Sequence, residues 1–220
     1  MRIMNTLFKG VFLIDNKMAT ENANPGEQVY GEKLIKKEGK EYRLWDPFRS
    51  KLAAAVKKGL KTFPFVTGTK ILYLGASTGT TISHLSDIIG KTGEIYAVEV
   101  APMPIKSLLK LSEIRNNVIP ILGDAHQPYS YKDVGKIDVV YQDVAQPDQS
   151  DILIKNADAF LVDKGIAFIA IKSQSIDVTK PPKEVFMREL KKLESYFEIL
   201  ETYELEPFDK DHLFVALKKK

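Results

Sequence analysis

Ile71-Leu72-Tyr73-Leu74-Gly75-Ala76-Ser77-Thr78-Gly79-Thr80-Thr81 is the stretch whose reading decides the fold. Four apolar residues ending at a glycine read as a buried strand, and the two glycines read as a tight turn that opens a helix. Such an edge offers free backbone N–H groups and the positive end of a helix dipole to a ligand. In open α/β sheets ligands occupy the crevice beyond the carboxyl ends of the strands, so the chemistry should lie at the later strand ends.

Downstream, strands expected at Ile71–Leu74, Ile95–Val98, Val118–Leu122, Ile137–Tyr141 and Ile166–Ile171 alternate with amphipathic helical segments. Those segments carry Ile82, Leu85 and Ile89; Ile105, Leu108 and Leu109; Ile152, Leu153, Ala157 and Phe160; then Phe186, Leu190, Leu193 and Phe197. Two further β pieces, Glu198–Leu205 and Leu213–Leu217, flank a turn around residues 207–210. The pattern predicts a doubly wound, mostly parallel α/β sheet closed by an antiparallel hairpin. Seven strands fit the sheet of S-adenosylmethionine-dependent methyltransferases better than the six of a dehydrogenase.

Upstream, the spacing of Phe48, Leu52, Val56 and Leu60 predicts a helix over Phe48–Lys61, with Pro47 just before it. Before that lie short β-like pieces, Leu7-Phe8, residues 11–14 and residues 41–45, separated by Lys9-Gly10, Asp15-Asn16, Asn24-Pro25-Gly26 and Glu38-Gly39. We expect a small antiparallel β domain over 1–48, either facing RNA or a partner or lying as a lid on the core. A catalytic domain is expected over 49–220.

The totals set limits. A chain of 220 residues, 44% apolar, can bury a full core. No apolar run approaches a membrane span, and the N-terminus lacks a secretory layout, so no membrane partner is expected. Cysteine is absent, which excludes disulfides and thiolate metal sites and suits a cytoplasmic location. No metal site is expected. A net charge of +3 is compatible with RNA, yet far weaker than the footprint of a protein that grips nucleic acid unaided.

The strand ends are charged. Glu99 ends the second strand, where a carboxylate can accept hydrogen bonds from both hydroxyls of a ribose. Asp124-Ala125 follows the third, where a carboxylate can hold an adenine amino group; Asp143 follows the fourth, and Lys172 the fifth. One rival reading exists. Gly75-Ala76-Ser77-Thr78-Gly79 also matches the nucleophile elbow of α/β hydrolases, with Asp143 and His212 following in the chain order of that triad. Against a serine hydrolase using Ser77, the elbow opens the sheet instead of following earlier strands. No oxyanion loop precedes it, and Glu99, Asp124 and Lys172 are left without a role.

Several longer blocks carry a resemblance: Asp46-Pro47-Phe48-Arg49-Ser50-Lys51-Leu52-Ala53-Ala54, Val98-Glu99, Gly123-Asp124-Ala125, Asp143-Val144-Ala145-Gln146-Pro147-Asp148-Gln149, Ala170-Ile171-Lys172-Ser173 and Pro207-Phe208-Asp209-Lys210-Asp211-His212. From end to end the chain resembles the fibrillarin family of S-adenosylmethionine-dependent RNA 2′-O-methyltransferases, and without an Arg/Gly-rich extension it is similar to the archaeal form. The resemblance implies transfer of a methyl group from S-adenosyl-L-methionine to ribose 2′-hydroxyls of rRNA and tRNA at sites chosen by box C/D guide RNA. It implies a catalytic tetrad of Lys51, Asp143, Lys172 and His212. It implies a cofactor site at Gly75, Thr80, Thr81, Glu99, Val100, Asp124, Ala125, Asp143 and Gln146. The implied partners are the guide RNA, the target rRNA or tRNA, a Nop-domain scaffold and a kink-turn-binding ribosomal-type protein. Protein glutamine methylation is an alternative activity. Met103 and His126 stand where the family commonly has arginine, which puts basic contacts to RNA or a partner in question.

Overall fold

Strands β1 (Ile3–Phe8), β2 (Val11–Ile14), β3 (Lys17–Glu21), β4 (Leu34–Lys37) and β5 (Lys40–Leu44) form one antiparallel sheet in the order β1-β2-β3-β5-β4. This is seen in a computed structural model that describes residues 3–220. Two of these strands, β3 and β4, were not expected: Lys17-Met18-Ala19-Thr20-Glu21 and Leu34-Ile35-Lys36-Lys37 are short and show little clean alternation.

Helix α1 (Lys51–Lys58) is shorter than the predicted Phe48–Lys61. Ser50 caps it, its hydroxyl accepting from Ala53 N at 3.3 Å, and Gly59 closes it in the left-handed region at φ 108. Phe48 stands outside in a turn whose backbone N–H groups are claimed by Asp46, through Phe48 N to Oδ1 and Arg49 N to the carbonyl. A local carboxylate thus overrides the helical spacing.

The second sheet is the expected one, with seven strands, mostly parallel and doubly wound. In chain order its elements are β6 (Lys70–Leu74), α2 (Thr80–Ile89), β7 (Glu94–Glu99), α3 (Pro102–Ile114), β8 (Val118–Leu122), β9 (Ile137–Gln142) and α4 (Gln149–Phe160). There follow β10 (Leu161–Lys172), a short α5 (Ser173–Ile176), α6 (Pro182–Glu194), β11 (Phe197–Glu204) and β12 (His212–Lys219). The strand order is β11-β12-β10-β9-β6-β7-β8, with β12 antiparallel to both neighbours. Alternation sorts the core. Ile71 and Tyr73 of β6 pack on the side of α1, α2 and α3, whereas Leu72 and Leu74 pack on the side of α4 and α6. Leu109 is exposed rather than part of the α3 stripe, and Phe197 begins β11 instead of ending α6. Among the described residues no helix is long and apolar enough to cross a membrane.

The strand order reverses between β6 and β9, because the chain runs outward from β6 to β8 and then returns to β9. That switch point opens a crevice at the carboxyl ends of the strands.

The small sheet is fastened to α2 by buried charges. Arg43 of β5 is fully buried, donating to Glu32 at 2.6 Å, Asp87 at 2.9 Å and Ser83 at 2.7 Å. Arg115 donates to the other Asp87 oxygen at 2.6 Å. His84 lies in the same seam, stacked on Trp45, with Nδ1 2.8 Å from the Thr20 hydroxyl and Nε2 2.7 Å from the Tyr30 hydroxyl. Thr20 and Tyr30 in turn donate to Asp87 and to the Leu44 carbonyl, which ties the ring into the seam. Burial, reinforced by the positive charges of Arg43 and Arg115, pushes the His84 pKa well below its ordinary value.

The fold keeps His84 neutral, whereas an unfolded histidine takes a proton below about pH 6.5. This contribution to stability is whole above that pH and drains away as the pH falls through it. We expect urea denaturation to show stability falling more steeply between about pH 7.5 and 5.5 in the native chain than in His84→Gln. Parallel slopes for the two would overturn this account.

Candidate active site

The turn after β6 is shaped by a close approach. Gly75 has φ 78, and a Cβ there would stand 2.8 Å from the carbonyl oxygen of Asp143, so the backbones after β6 and β9 touch where only glycine fits. Gly79, at φ 88, opens α2 where a side chain would strike Leu111. Between them Ser77 adopts φ 50, and its N–H donates to Glu99 Oε2 at 2.7 Å. The other Glu99 oxygen accepts from Ala101 N at 2.8 Å. Glu99, only 9% exposed, therefore ties the glycine turn to the end of β7. A carboxylate has about four acceptor positions, so lone pairs remain for hydroxyl donors.

A cleft of about 260 Å³ lies over this junction. Gly75, Glu99, Val100, Asp124, Ala125, Asp143 and Gln146, seven of the residues anticipated for a cofactor, line it. Thr80 and Thr81 do not. Thr80 opens α2, and Thr81 is buried with its hydroxyl donating to Ser50 at 2.9 Å, joining the start of α2 to the cap of α1. On the cleft rim His126 bridges two acids, with Nδ1 2.7 Å from Asp124 and Nε2 3.1 Å from Asp148. Those hydrogen bonds, Asp124 first and then Asp148, raise the His126 pKa, and the backbone N–H and ring of His126 lower that of Asp124. The two acids thus favour the cationic form of His126.

Asp143 belongs to the cleft and to a second cluster beside it. Lys51 Nζ lies 3.2 Å from its carboxylate, and Lys172 Nζ lies 2.8 Å from Oδ1 and donates to the Asp143 carbonyl, also at 2.8 Å. Burial pulls the Lys51 pKa down, but the carboxylates of Asp143 and Asp209 outweigh it and hold the ammonium above its ordinary value. His212 sits opposite Lys172 in the β10–β12 pairing, its Nδ1 2.7 Å from the Lys210 carbonyl and 3.0 Å from Asp209. The four residues named from the sequence therefore converge.

Two members of the cluster were not singled out from the sequence. Asp209 connects Lys51, at 3.4 Å, to His212. The acid and histidine three residues apart in Asp209-Lys210-Asp211-His212 were the available signal. Gln149 is fully buried and brackets the Lys172 backbone, accepting from its N–H at 3.1 Å and donating to its carbonyl at 3.4 Å. The hydrolase alternative fares poorly. Asp143 is engaged by two lysines and His212 Nδ1 by Lys210 and Asp209, so the serine–histidine–aspartate relay is not assembled.

Comparison with known proteins places the chain. A family model described as Fibrillarin matches residues 3–220. A Thermococcus gammatolerans protein named fibrillarin-like rRNA/tRNA 2′-O-methyltransferase is 48% identical over 225 residues, covering 100% of both chains. Aeropyrum pernix fibrillarin, solved in complex with natively bound S-adenosyl-L-methionine, superposes with a TM-score of 0.88 at 47% identity, covering 94% of each chain. A chain of a fibrillarin/Nop5p complex superposes with a TM-score of 0.90 at 42% identity, covering 98% of this chain and 100% of the other. With a matching family model over nearly its whole length and relatives at close to half identity, this chain belongs to the fibrillarin family.

Proposed function

We propose that this protein transfers a methyl group from S-adenosyl-L-methionine to ribose 2′-hydroxyls of rRNA and tRNA. In this proposal it is the catalytic subunit of a box C/D guide-RNA particle. The observation that carries the reading is the sharing of Asp143 between a nucleoside-sized cleft at the switch point and a cluster of two lysines, an acid and a histidine. The names of the Thermococcus relative and of the Aeropyrum complex support the activity and the cofactor.

The cleft residues fit the cofactor chemically. Glu99 keeps free lone pairs for ribose hydroxyls, Asp124 with Ala125 suits an adenine edge, and the bare Gly75 backbone packs against the Asp143 carbonyl beneath them. When bound, S-adenosyl-L-methionine would supply an electrophilic methyl group carried on a sulfonium. The protein has to bring a hydroxyl oxygen to that methyl in line and manage the hydroxyl proton. Lys172 directs two of its contacts at Asp143, one to the carboxylate and one to the carbonyl, and has a third hydrogen to offer. We assign it to hold the 2′-oxygen in line. Asp143 fixes its position, Lys51 adds positive charge to the site, and His212 contacts the ribose or adjoining phosphate.

The mild net charge leaves target choice to partners. The Nop5p complex of a relative supports a Nop-domain scaffold as one of them. A guide RNA and a kink-turn-binding ribosomal-type protein complete the proposed assembly.

Reconstitution with guide RNA and both partner proteins tests the whole reading. Ribose methylation should map to the guided nucleotide and be weak with the protein alone, and methyl label appearing in protein instead of RNA would overturn it. In calorimetry Glu99→Ala should bind S-adenosyl-L-methionine about tenfold or more weakly, since hydrogen bonds to a charged group are lost; unchanged affinity sinks the ribose assignment. In single-turnover assays Lys172→Met should lose methyl transfer by on the order of a hundredfold, with Lys172→Arg retaining part of the rate and the native pH profile. Total inactivity of the arginine variant would assign Lys172 as a general base instead of a positioner.

A further inference from the structure

A second cavity, of about 580 Å³, opens between the small sheet and the start of α1. Its volume falls within the range of true ligand sites, roughly 300–1,000 Å³. It is not the cleft that carries Glu99 and Asp143, and nothing in the proposed chemistry so far uses it. It reaches that chemistry at one point. Phe48 and Phe208, both on its wall, meet edge to face with ring centroids 5.2 Å apart. Phe48 lies just before the helix that bears Lys51, and Phe208 precedes Asp209, the partner of Lys51.

The lining has an unusual make-up. Lys17, Lys33, Arg49 and Lys57 stand on it. Against these four cations stand two acids: Glu32, paired with the buried Arg43, and Asp46, which accepts from the backbone N–H of Phe48. The groove is therefore positive. Its apolar surface joins Met18, Leu44 and Pro47 to aromatic rings, with Phe48 63% exposed and Tyr30 carrying the Arg49 guanidinium 5.6 Å from its ring centroid. Cations tracking a groove beside open aromatic faces are how proteins hold a nucleic-acid strand without reading its sequence. An aliphatic floor is present, but four cations against two acids favour a phosphate backbone over a protein segment.

We propose that this groove seats the RNA strand that carries the target ribose, with its phosphates on the lysines and Arg49. One nucleotide flanking the target packs on the open Phe48 ring. This rests on the RNA methyltransferase reading and extends it from the reacting ribose to the strand around it. Phe48 then acts as a positioning residue: the flanking nucleotide is held at the mouth of the Lys51–Asp209 pair, which sets where the target ribose enters.

The test uses the reconstituted particle of full-length protein, guide RNA, both partner proteins and a target RNA with 4-thiouridine beside the target nucleotide. Photocrosslinks should map to Phe48, Tyr30 or Phe208. Phe48→Ala should raise the KM for target RNA by on the order of tenfold with cofactor affinity unchanged, and Phe48→Trp should restore it. Lys33→Ala and Lys57→Ala should each reduce the salt slope of RNA binding by about one. Crosslinks that map elsewhere, together with native RNA kinetics in Phe48→Ala, overturn the proposal. So does loss of scaffold-protein binding in Phe48→Ala, which would mark the groove as a protein interface. Groove crosslinks without methylation by the native particle would instead uphold the groove and refute the methyltransferase reading. Methylation with no groove crosslink does the reverse.

Discussion

The structure depends on one backbone contact, the meeting of Gly75 with the carbonyl of Asp143 across the switch point of the sheet. Parallel strands that diverge in opposite chain directions leave a gap at their carboxyl ends. Here that gap is narrow because the residue after β6 has no side chain and adopts a left-handed conformation. The contact sets the floor of the cleft and the height at which the Asp143 side chain emerges. Glu99 then fixes the rest of the glycine turn through two backbone hydrogen bonds. The cleft and the Lys51–Asp143–Lys172 cluster are set by the same few peptide units.

Electrostatics follow from that placement. A carboxylate lying between two ammonium groups keeps both lysines close without leaving like charges unopposed, and Asp209 performs the same service on the far side of Lys51. Partial burial would otherwise disfavour a charged Lys51, and the two acids reverse that tendency. The cluster is only partly open, its side chains 15–33% exposed, so water competes weakly with its ion pairs.

Much of this was legible in the sequence, and the reasons are physical. Buried parallel strands read as apolar runs, and ligand groups collect at their carboxyl ends, so Glu99, Asp124, Asp143 and Lys172 could be named from position alone. The convergence of Lys51 and His212 with them came from family likeness, since nothing in spacing brings α1 to the start of β12. The helix start was misjudged where Asp46 captures the backbone of the turn and Ser50 caps late. Gln149 was hidden because an amide that brackets a strand end looks like any polar helix residue. Thr81 follows the glycine turn and faces Ser50, a direction no linear pattern encodes. The charges of Arg43, Asp87 and Arg115 were invisible for the same reason: they are distant along the chain and adjacent only after folding.

That seam constrains how the protein can vary. Charges removed from water tolerate the loss of a partner poorly, whereas replacing all partners together can be harmless. Arg43, Glu32, Asp87 and Arg115 are thus a single unit of inheritance: drift at one position is costly unless the others drift with it. Grafting the small sheet from a relative onto this chain would succeed only if the facing residues of α2 and the end of α3 travelled with it.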